Sequence, residues 1–219
     1  MPQELYVVSL IFSCLALVVS GITAWLTLFH KGSLKATQPT TIFFGPDGPN
    51  YEIPSNKVYL RTLLYSTAKK GQVLESLYVS LKRNESNQNF SIWVYGDKND
   101  LKRGSGLFIP QDGVTFDHHF LMPSDGAEFK FISGDYQLKL YARLVGEREV
   151  QLLYEVNLYI SEQQAKELST PNTGIHFDWG ADQRKYHAHI RSNPAQQTEL
   201  IAELLANKLM QPTAKASAD

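Results

Sequence analysis

An uninterrupted apolar run near the N-terminus constrains this chain more than any other feature. From Leu5 to Phe29 there are 25 residues without a charged side chain, and 19 of them are apolar. As an α-helix the run would be about 37 Å long, which exceeds the roughly 30 Å of a bilayer's hydrocarbon core. Tyr6 and Trp25 are 19 residues apart, so one aromatic ring falls near each membrane interface. The sequence therefore predicts a single transmembrane helix over 5–29.

The charges that flank this run predict its orientation. Residues 1–4 carry one charge, on Glu4, whereas Lys31 and Lys35 follow the run. Because positive side chains are retained on the cytoplasmic side of a membrane, we expect the soluble part of the chain in the cytoplasm. A cleaved signal peptide is the alternative, but it needs a positively charged start and a shorter apolar core.

Small side chains recur along one face of the predicted helix at steps of three or four residues. Such side chains let two helix backbones approach closely, and their hydroxyls can bond across the contact. The pattern predicts a homodimer, unless the hydroxyls simply bond carbonyls of their own helix. The residues concerned are Ser9, Ser13, Ala16, Ser20, Thr23 and Thr27.

The rest of the chain has the composition of a folded and nearly neutral domain. Hydrophobic residues make up 43% and aromatic residues 11% of the sequence, which is enough to form a core. Since Glu4 is the only charged residue before Lys31, residues 31–219 hold 21 basic and 22 − 1 = 21 acidic groups. Nucleic-acid binding needs a basic surface, so we expect no nucleic-acid partner. The single cysteine, Cys14, lies in the apolar run, which excludes a disulfide and Cys-ligated zinc in the domain.

Short candidate strands dominate residues 40–160, after a polar linker over 30–39. Their signals are alternating apolar residues and β-branched or aromatic enrichment, with Gly and Asp turns between them. Many short strands without intervening helices predict a mainly β domain, an antiparallel sandwich. The candidate strands are Thr40–Phe44, Lys57–Tyr65, Val73–Lys82, Phe90–Tyr95, Gly106–Ile109, Val114–Leu121, Ala127–Ile132, Tyr136–Leu144 and Val150–Ile160.

The segment Gly134-Asp135-Tyr136-Gln137-Leu138-Lys139-Leu140 adds a more specific signal. It resembles the tyrosine corner that opens a late strand in immunoglobulin-like and fibronectin-like sandwiches. The resemblance covers residues 40–160 at the level of strand pattern, and the cysteine pair of antibody domains is missing. It implies that the Tyr136 hydroxyl bonds a nearby backbone group. It bears on the fold and carries no function.

Residues 161–210 read as an extension packed on the sandwich. Ser161 and Gln164 form a capping-box pattern that opens a short helix to about Leu168. A β-hairpin and a final helix with Asn193 as N-cap and Pro194 at N1 follow, and residues 211–219 read as a disordered tail. The two predicted hairpin strands are Ile175–Trp179 and Arg184–Ile190.

The hairpin is predicted to gather metal-ligand types on one face. A turn centred on Ala181-Asp182 places Phe177 opposite Tyr186 and His176 opposite His187. Burial of the aromatic face, formed by Ile175, Phe177, Trp179, Tyr186, Ala188 and Ile190, then leaves a polar face outward. That polar face consists of His176, Asp178, Lys185, His187 and His189.

Two functions follow from these patterns. Phosphate-binding Gly loops, His-Glu-x-x-His and Gly-x-Ser-x-Gly do not occur in the sequence, which favours a membrane-tethered binding or structural module. The alternative is a zinc-dependent, hydrolase-like enzyme that uses His176, Asp178, His187 and His189. Against it, Lys185 would lie opposite Asp178 and form an ion pair with it. The adjacent His118 and His119 point to opposite faces of a strand and are expected to be one packed and one surface residue.

Overall fold

A computed structural model describes residues 3–47, 56–97, 100–123 and 129–192 of the chain. The predicted helix from Asn193 and the predicted tail 211–219 lie outside the described residues. Helix α1 spans Gln3–Ala24 and continues as a π-helical turn over Trp25–Phe29. Together they form one helix that is long and apolar enough to cross a membrane.

Thirteen strands and a second helix, α2 (Glu162–Leu168), follow in the described residues. The strands are β1 (Leu34–Ala36), β2 (Thr41–Pro46), β3 (Asn56–Ser66), β4 (Gln72–Arg83), β5 (Ser86–Phe90), β6 (Ile92–Gly96), β7 (Lys102–Arg103), β8 (Leu107–Ile109), β9 (Val114–Leu121), β10 (Gly134–Leu144), β11 (Gln151–Ile160), β12 (Thr173–Gly180) and β13 (Lys185–Ser192).

The strands form two antiparallel sheets, which confirms the predicted mainly β class. The first sheet has the order β13-β12-β2-β3-β9-β6-β7, with β1 also paired to β3. The second has the order β11-β10-β4-β5, with β8 also paired to β4. The arrangement β2-β3-β9-β6 against β11-β10-β4 follows the A-B-E-D and G-F-C strand order of immunoglobulin-like sandwiches. The β12–β13 hairpin widens the first sheet beyond this set.

Alternate residues of both sheets supply the core between them. Along β3, Val58, Leu60, Thr62 and Leu64 are buried, whereas the residues between them point outward. Successive side chains of a strand point to opposite faces, so burial of one set fixes the outward set. The facing strand β10 contributes every second residue in the same way, namely Tyr136, Leu138, Leu140, Ala142 and Leu144.

The tyrosine corner has the geometry that the sequence predicts. The Tyr136 side chain is 1% exposed, and its hydroxyl donates to the carbonyl oxygen of Ile132 at 2.8 Å. The same hydroxyl oxygen accepts from the Ile132 N–H at 2.9 Å. Both backbone groups of one residue are therefore satisfied by a single phenol.

The predicted strand Phe90–Tyr95 is divided between the two sheets. β5 ends at Phe90 in the second sheet, and β6 begins at Ile92 in the first. Phe90 and Trp93 are both buried, and a spacing of three cannot put both on one face of a single strand. The chain therefore crosses between the sheets at Ser91.

The predicted linker 30–39 is partly incorporated in the sandwich. Leu34 is 2% exposed and belongs to the core, and β1 pairs with the end of β3. The predicted strand Ala127–Ile132 lies partly outside the described residues. Its described part, 129–132, is not a strand, but Phe131 packs against Phe44 with ring centroids 5.0 Å apart.

A polar network joins the segment after β1 to the edge of each sheet. The Gln38 side-chain amide donates to the hydroxyl oxygens of Tyr154 and Tyr186 at 2.8 and 3.0 Å. The Tyr186 hydroxyl donates to the Pro39 carbonyl at 2.7 Å. The β12–β13 hairpin is thereby tied to β11 and to the chain that leaves α1. The capping box of α2 is also confirmed, since Ser161 and Gln164 bond reciprocally.

We expect Tyr136→Phe to lower the free energy of unfolding by about 1–3 kcal/mol, because two backbone groups lose their shared partner. Urea unfolding of the full-length protein in detergent micelles would measure the change. Tyr159→Phe is the matched control, since Tyr159 is 58% exposed and its substitution should leave the midpoint unchanged. Equal midpoints for Tyr136→Phe and wild type would contradict the structural role of the corner.

Candidate functional site

Five ring side chains form a row across the outward face of the first sheet. Each is the direct cross-strand partner of the next, from β13 through β12, β2 and β3 to β9. Neighbouring strands lie about 4.8 Å apart, so four steps make the row roughly 19 Å long. We call it the ring row, and its members are His189, His176, Phe43, Tyr59 and His119.

Contacts between neighbouring rings hold most of the row together. His189 and His176 stack, with centroids 5.4 Å apart and planes 13° from parallel. The Phe43 and His176 centroids are 4.7 Å apart, and those of Tyr59 and His119 are 5.1 Å apart. Such pairs stabilise a sheet in the same way as neighbouring side chains of a helix do.

Two glycines shape the surface around Phe43. A Cβ at Gly45 would lie 2.5 Å from Cζ of Phe43, and a Cβ at Gly174 would lie 2.1 Å from its Cε2. The Phe43 ring therefore packs flat over both glycines and does not project from the sheet. The result is a shallow depression of about 400 Å³, lined by Thr41, Phe43, Lys57, Tyr59, His119, His176, Asp178, His189 and Arg191.

Polar side chains beside the ring row are held by hydrogen bonds. The Tyr59 hydroxyl donates to Asp117 at 2.9 Å, and Arg61 pairs with the same carboxylate. Burial and the bond to Asp117 raise the pKa of Tyr59 to about 12. This phenol therefore stays protonated at neutral pH and serves as a fixed hydrogen-bond donor. Thr41 donates to Asp178 at 2.9 Å in the same manner.

Two imidazoles of the ring row are uncharged at neutral pH. Burial, and then the nearby Lys57, lower the pKa of His119 to about 4. Burial lowers the pKa of His176 as well, followed by the charge of Arg191. The centre of the depression thus offers neutral rings that can stack or hydrogen bond, while Arg191 supplies positive charge at its rim. Lys57 is paired with Asp47 at 2.8 Å.

The predicted register of the β12–β13 hairpin is wrong by two residues. His176 pairs with His189 and Asp178 with His187, because the turn comprises residues 181–184 and is centred one residue later than predicted. A shift by two keeps every side chain on its predicted face. Ile175 and Phe177 are accordingly buried. The predicted ion pair of Asp178 with Lys185 is replaced by a contact of Asp178 Oδ2 with His189 Nδ1 at 3.6 Å.

The structure brings together three of the four predicted metal ligands. His176, Asp178 and His189 line the depression, whereas His187 lies over Gly180, where a Cβ would come within 2.6 Å of its Nε2. Nearly parallel stacking of His176 on His189 keeps the ring nitrogens, whose lone pairs lie in the ring planes, in two separate and nearly parallel planes. Within the described residues, no group of three or more His, Cys, Asp or Glu side chains is arranged to hold a metal ion.

His118 faces the core, which confirms the expected division between the two adjacent histidines. It is 0% exposed, and its Nδ1 accepts from the indole N–H of Trp93 at 3.2 Å. The other nitrogen, Nε2, is buried without a hydrogen-bond partner among the described residues. Burial lowers the pKa of His118 to about 4, so the residue is a neutral part of the core.

Sequence reasoning placed the hairpin histidines but missed the other half of the ring row. Alternation in β3 does show that Tyr59 points outward between Val58 and Leu60. What brings Tyr59 beside Phe43 and His119 is the pairing of β2, β3 and β9, which are separated in sequence. That pairing is a property of the tertiary fold.

Comparison of the chain with protein-family models, with curated protein sequences and with solved structures finds no significant match.

We expect the stability of the protein to fall as the pH drops from 6.5 toward 4. An unfolded histidine has a pKa of about 6.5, whereas burial lowers the pKa of His118 and His119 to about 4 in the folded state. Only the unfolded state takes up these protons in that interval, so acid favours unfolding. His118 alone contributes a slope of about 1.4 kcal/mol per pH unit.

Urea unfolding at about pH 7.5, 6 and 5 would measure this slope. These pH values lie above the range in which most carboxyl groups titrate. His118→Gln keeps an acceptor for Trp93 and cannot titrate. We expect it to lower the stability at every pH and to flatten the dependence between pH 6 and 5. A variant slope equal to that of wild type would show that His118 is not the titrating group.

The zinc alternative makes a separate prediction. If the hairpin histidines bind zinc, the purified full-length protein should contain stoichiometric metal, and His176→Ala or His189→Ala should each remove it. His187→Ala is the matched control from the same predicted set, since His187 lies apart from the depression. Elemental analysis and thermal unfolding with added zinc are the measurements. Absence of metal together with an unchanged melting temperature would eliminate the enzyme alternative.

Proposed function

We propose that the protein is a membrane-anchored binding module whose sandwich holds a partner protein against the ring row. The observation that carries this proposal is the direct cross-strand register of five ring side chains on one outward face. Aromatic residues and arginine are enriched in the centres of protein interfaces, and here they surround a shallow depression. A flat surface about 19 Å long suits an extended partner better than a small substrate.

The pKa shifts and hydrogen bonds of the polar groups favour binding over catalysis. A general acid or base needs a pKa near the working pH and freedom to exchange its proton. The pKa of Tyr59 is raised to about 12 and that of His119 is lowered to about 4. Asp117 accepts from two neighbours, Tyr59 and Arg61. These groups are placed to recognise a partner rather than to transfer protons.

The anchor in this proposal is residues 5–29, which would span the lipid bilayer once. The length and apolar composition of the helix Gln3–Phe29 support it. Following the flanking lysines Lys31 and Lys35, we place the sandwich on the cytoplasmic side. A reporter that is active only in the cytoplasm should therefore be active when fused after residue 219. Activity of an export-dependent reporter at that position instead would reverse the orientation and leave the span unaffected.

Pairing of two α1 helices through the small-residue stripe belongs to the same proposal. The hydroxyls of Ser13, Thr23 and Thr27 donate to carbonyls of their own helix at 2.7–2.9 Å. Pairing would therefore depend on close packing rather than on hydroxyl bonds between helices. Ser13→Leu with Ser20→Leu blocks such packing while keeping the helix apolar. Unchanged self-association of this variant in a membrane reporter assay would disprove pairing through the stripe.

The binding surface can be tested by photocrosslinking in intact cells. We expect a photoreactive phenylalanine analogue at His176 to give a discrete adduct with a partner protein. The same analogue at Tyr159, which is exposed on the second sheet, should give none. Tyr59→Ala should weaken the adduct formed at His176, because it removes another ring of the row from the proposed binding surface. Equal labelling from both positions, or none from either, would contradict the proposal.

A further inference from the structure

One end of the sandwich collects the segments nearest to α1. β1 begins opposite the end of β3, with Leu34 paired to Ser66. The β3–β4 turn lies at that end, and β8 pairs with the start of β4 through Val73 and Phe108. The β10–β11 connection arrives there too, since the Val145 N–H donates to the Val73 carbonyl at 2.9 Å. We call this the helix-proximal end.

The connection between α1 and this end is short and hydrogen bonded. The helical segment ends at Phe29, and the Lys31 carbonyl already accepts from the Gln72 side chain at 3.2 Å. The Ser33 N–H donates to the Thr67 hydroxyl oxygen at 2.7 Å, and the Thr67 N–H donates to the Ser33 carbonyl at 3.0 Å. Four residues from Phe29 to Ser33 reach at most about 14 Å. The helix-proximal end must therefore stay close to the end of the helix.

Gly32 makes this close approach feasible. Its φ of +62° is one that residues with a side chain rarely adopt, and a Cβ there would lie 2.6 Å from the Ala68 nitrogen. The backbone thus passes directly over the β3–β4 turn. The connection that follows the helix is therefore packed against the sandwich and is not a loose linker.

An exposed apolar patch lies beside this connection. Val73 is 46%, Phe108 56% and Val145 60% exposed. They adjoin one another, because Val73 is the cross-strand partner of Phe108 and bonds the backbone of Val145. The Phe108 ring lies over Gly71, where a Cβ would come within 2.5 Å of Cζ. Contiguous apolar side chains of this kind on a protein surface mark a contact site.

Three lysines lie at the point where the helix emerges. Lys31, Lys69 and Lys70 are exposed around the Lys31–Gly32 connection. Acidic residues of the same end, Glu75, Asp112, Glu147 and Glu149, lie on β4 and on the loops before β9 and before β11. Apolar burial is therefore the main contact, and the lysines add attraction for lipid phosphates.

We propose that the helix-proximal end docks on the surface of the bilayer that α1 crosses. Val73, Phe108 and Val145 lie in the interfacial layer, and Lys69 and Lys70 contact lipid phosphates. This inference rests on the proposed membrane span, because only a spanning helix holds this end at the interface. The docked sandwich then has a fixed orientation instead of swinging freely on a tether.

Spin-label accessibility of the full-length protein in nanodiscs of phosphatidylcholine and phosphatidylglycerol tests the proposal. One label is placed on native Cys14. Two others are placed at Lys70→Cys and at Asn87→Cys, each in a Cys14→Ser background, and Asn87 is exposed on β5 at the far end. We expect the label at 14 to favour collision with oxygen and the label at 87 to favour a water-soluble nickel chelate. The label at 70, at the depth of the headgroups, should be less accessible to nickel than the label at 87.

A patch variant makes the experiment specific. Phe108→Ser with Val145→Ser should shift the accessibility of the Lys70→Cys label toward that of the Asn87→Cys label. Tyr159→Ser, which removes an exposed side chain from the opposite end of β11, should leave it unchanged. Docking is overturned if the label at 70 is as nickel-accessible as the label at 87 in wild type, or is unaffected by the patch variant, while Cys14 stays in lipid. A nickel-accessible Cys14 would overturn the membrane span itself.

Discussion

Burial of alternate side chains along β3 is the constraint on which the rest of this structure depends. β3 lies in the middle of the first sheet and pairs with β1 and β2 along one edge and with β9 along the other. With Val58 and Leu60 in the core, Tyr59 must point outward. The hydrogen-bonded register then determines which side chains of each neighbouring strand point outward beside Tyr59. The ring row is therefore a consequence of core packing as much as of the side chains that form it.

Local patterns in the sequence predict local structure well here. The apolar run is one continuous segment, and the capping box at Ser161 and the tyrosine corner at Tyr136 each depend on residues within one helical turn or one tight corner. The faces of the β12–β13 hairpin were also predictable, because burial of Ile175 and Phe177 fixes parity whatever the turn length. The register was not predictable in the same way. A turn of the same length centred one residue later moves every partner by two positions without changing a face.

Features that depend on distant pairing were beyond the reach of sequence patterns. The crossing at Ser91 requires knowing that Phe90 and Trp93 enter the same core from different sheets. The burial of Leu34 in a polar segment requires knowing that the end of β3 has a free edge for β1. The Gln38–Tyr154–Tyr186 network joins segments more than 100 residues apart. A single sequence carries no signal for such contacts.

The two proposed surfaces constrain one another through the geometry of the sandwich. Tyr59 lies seven residues before Ser66, so the ring row is about 23 Å along β3 from the helix-proximal end. The ring row occupies the outward face of the first sheet, whereas Val73 and Phe108 lie on the outward face of the second. In the proposed docking, the outward face of the second sheet contacts lipid at the helix-proximal end, so the outward face of the first sheet is tilted away from the bilayer. A sandwich held in this way presents the ring row to soluble partners, whereas a tilt in the other direction would cover it with lipid.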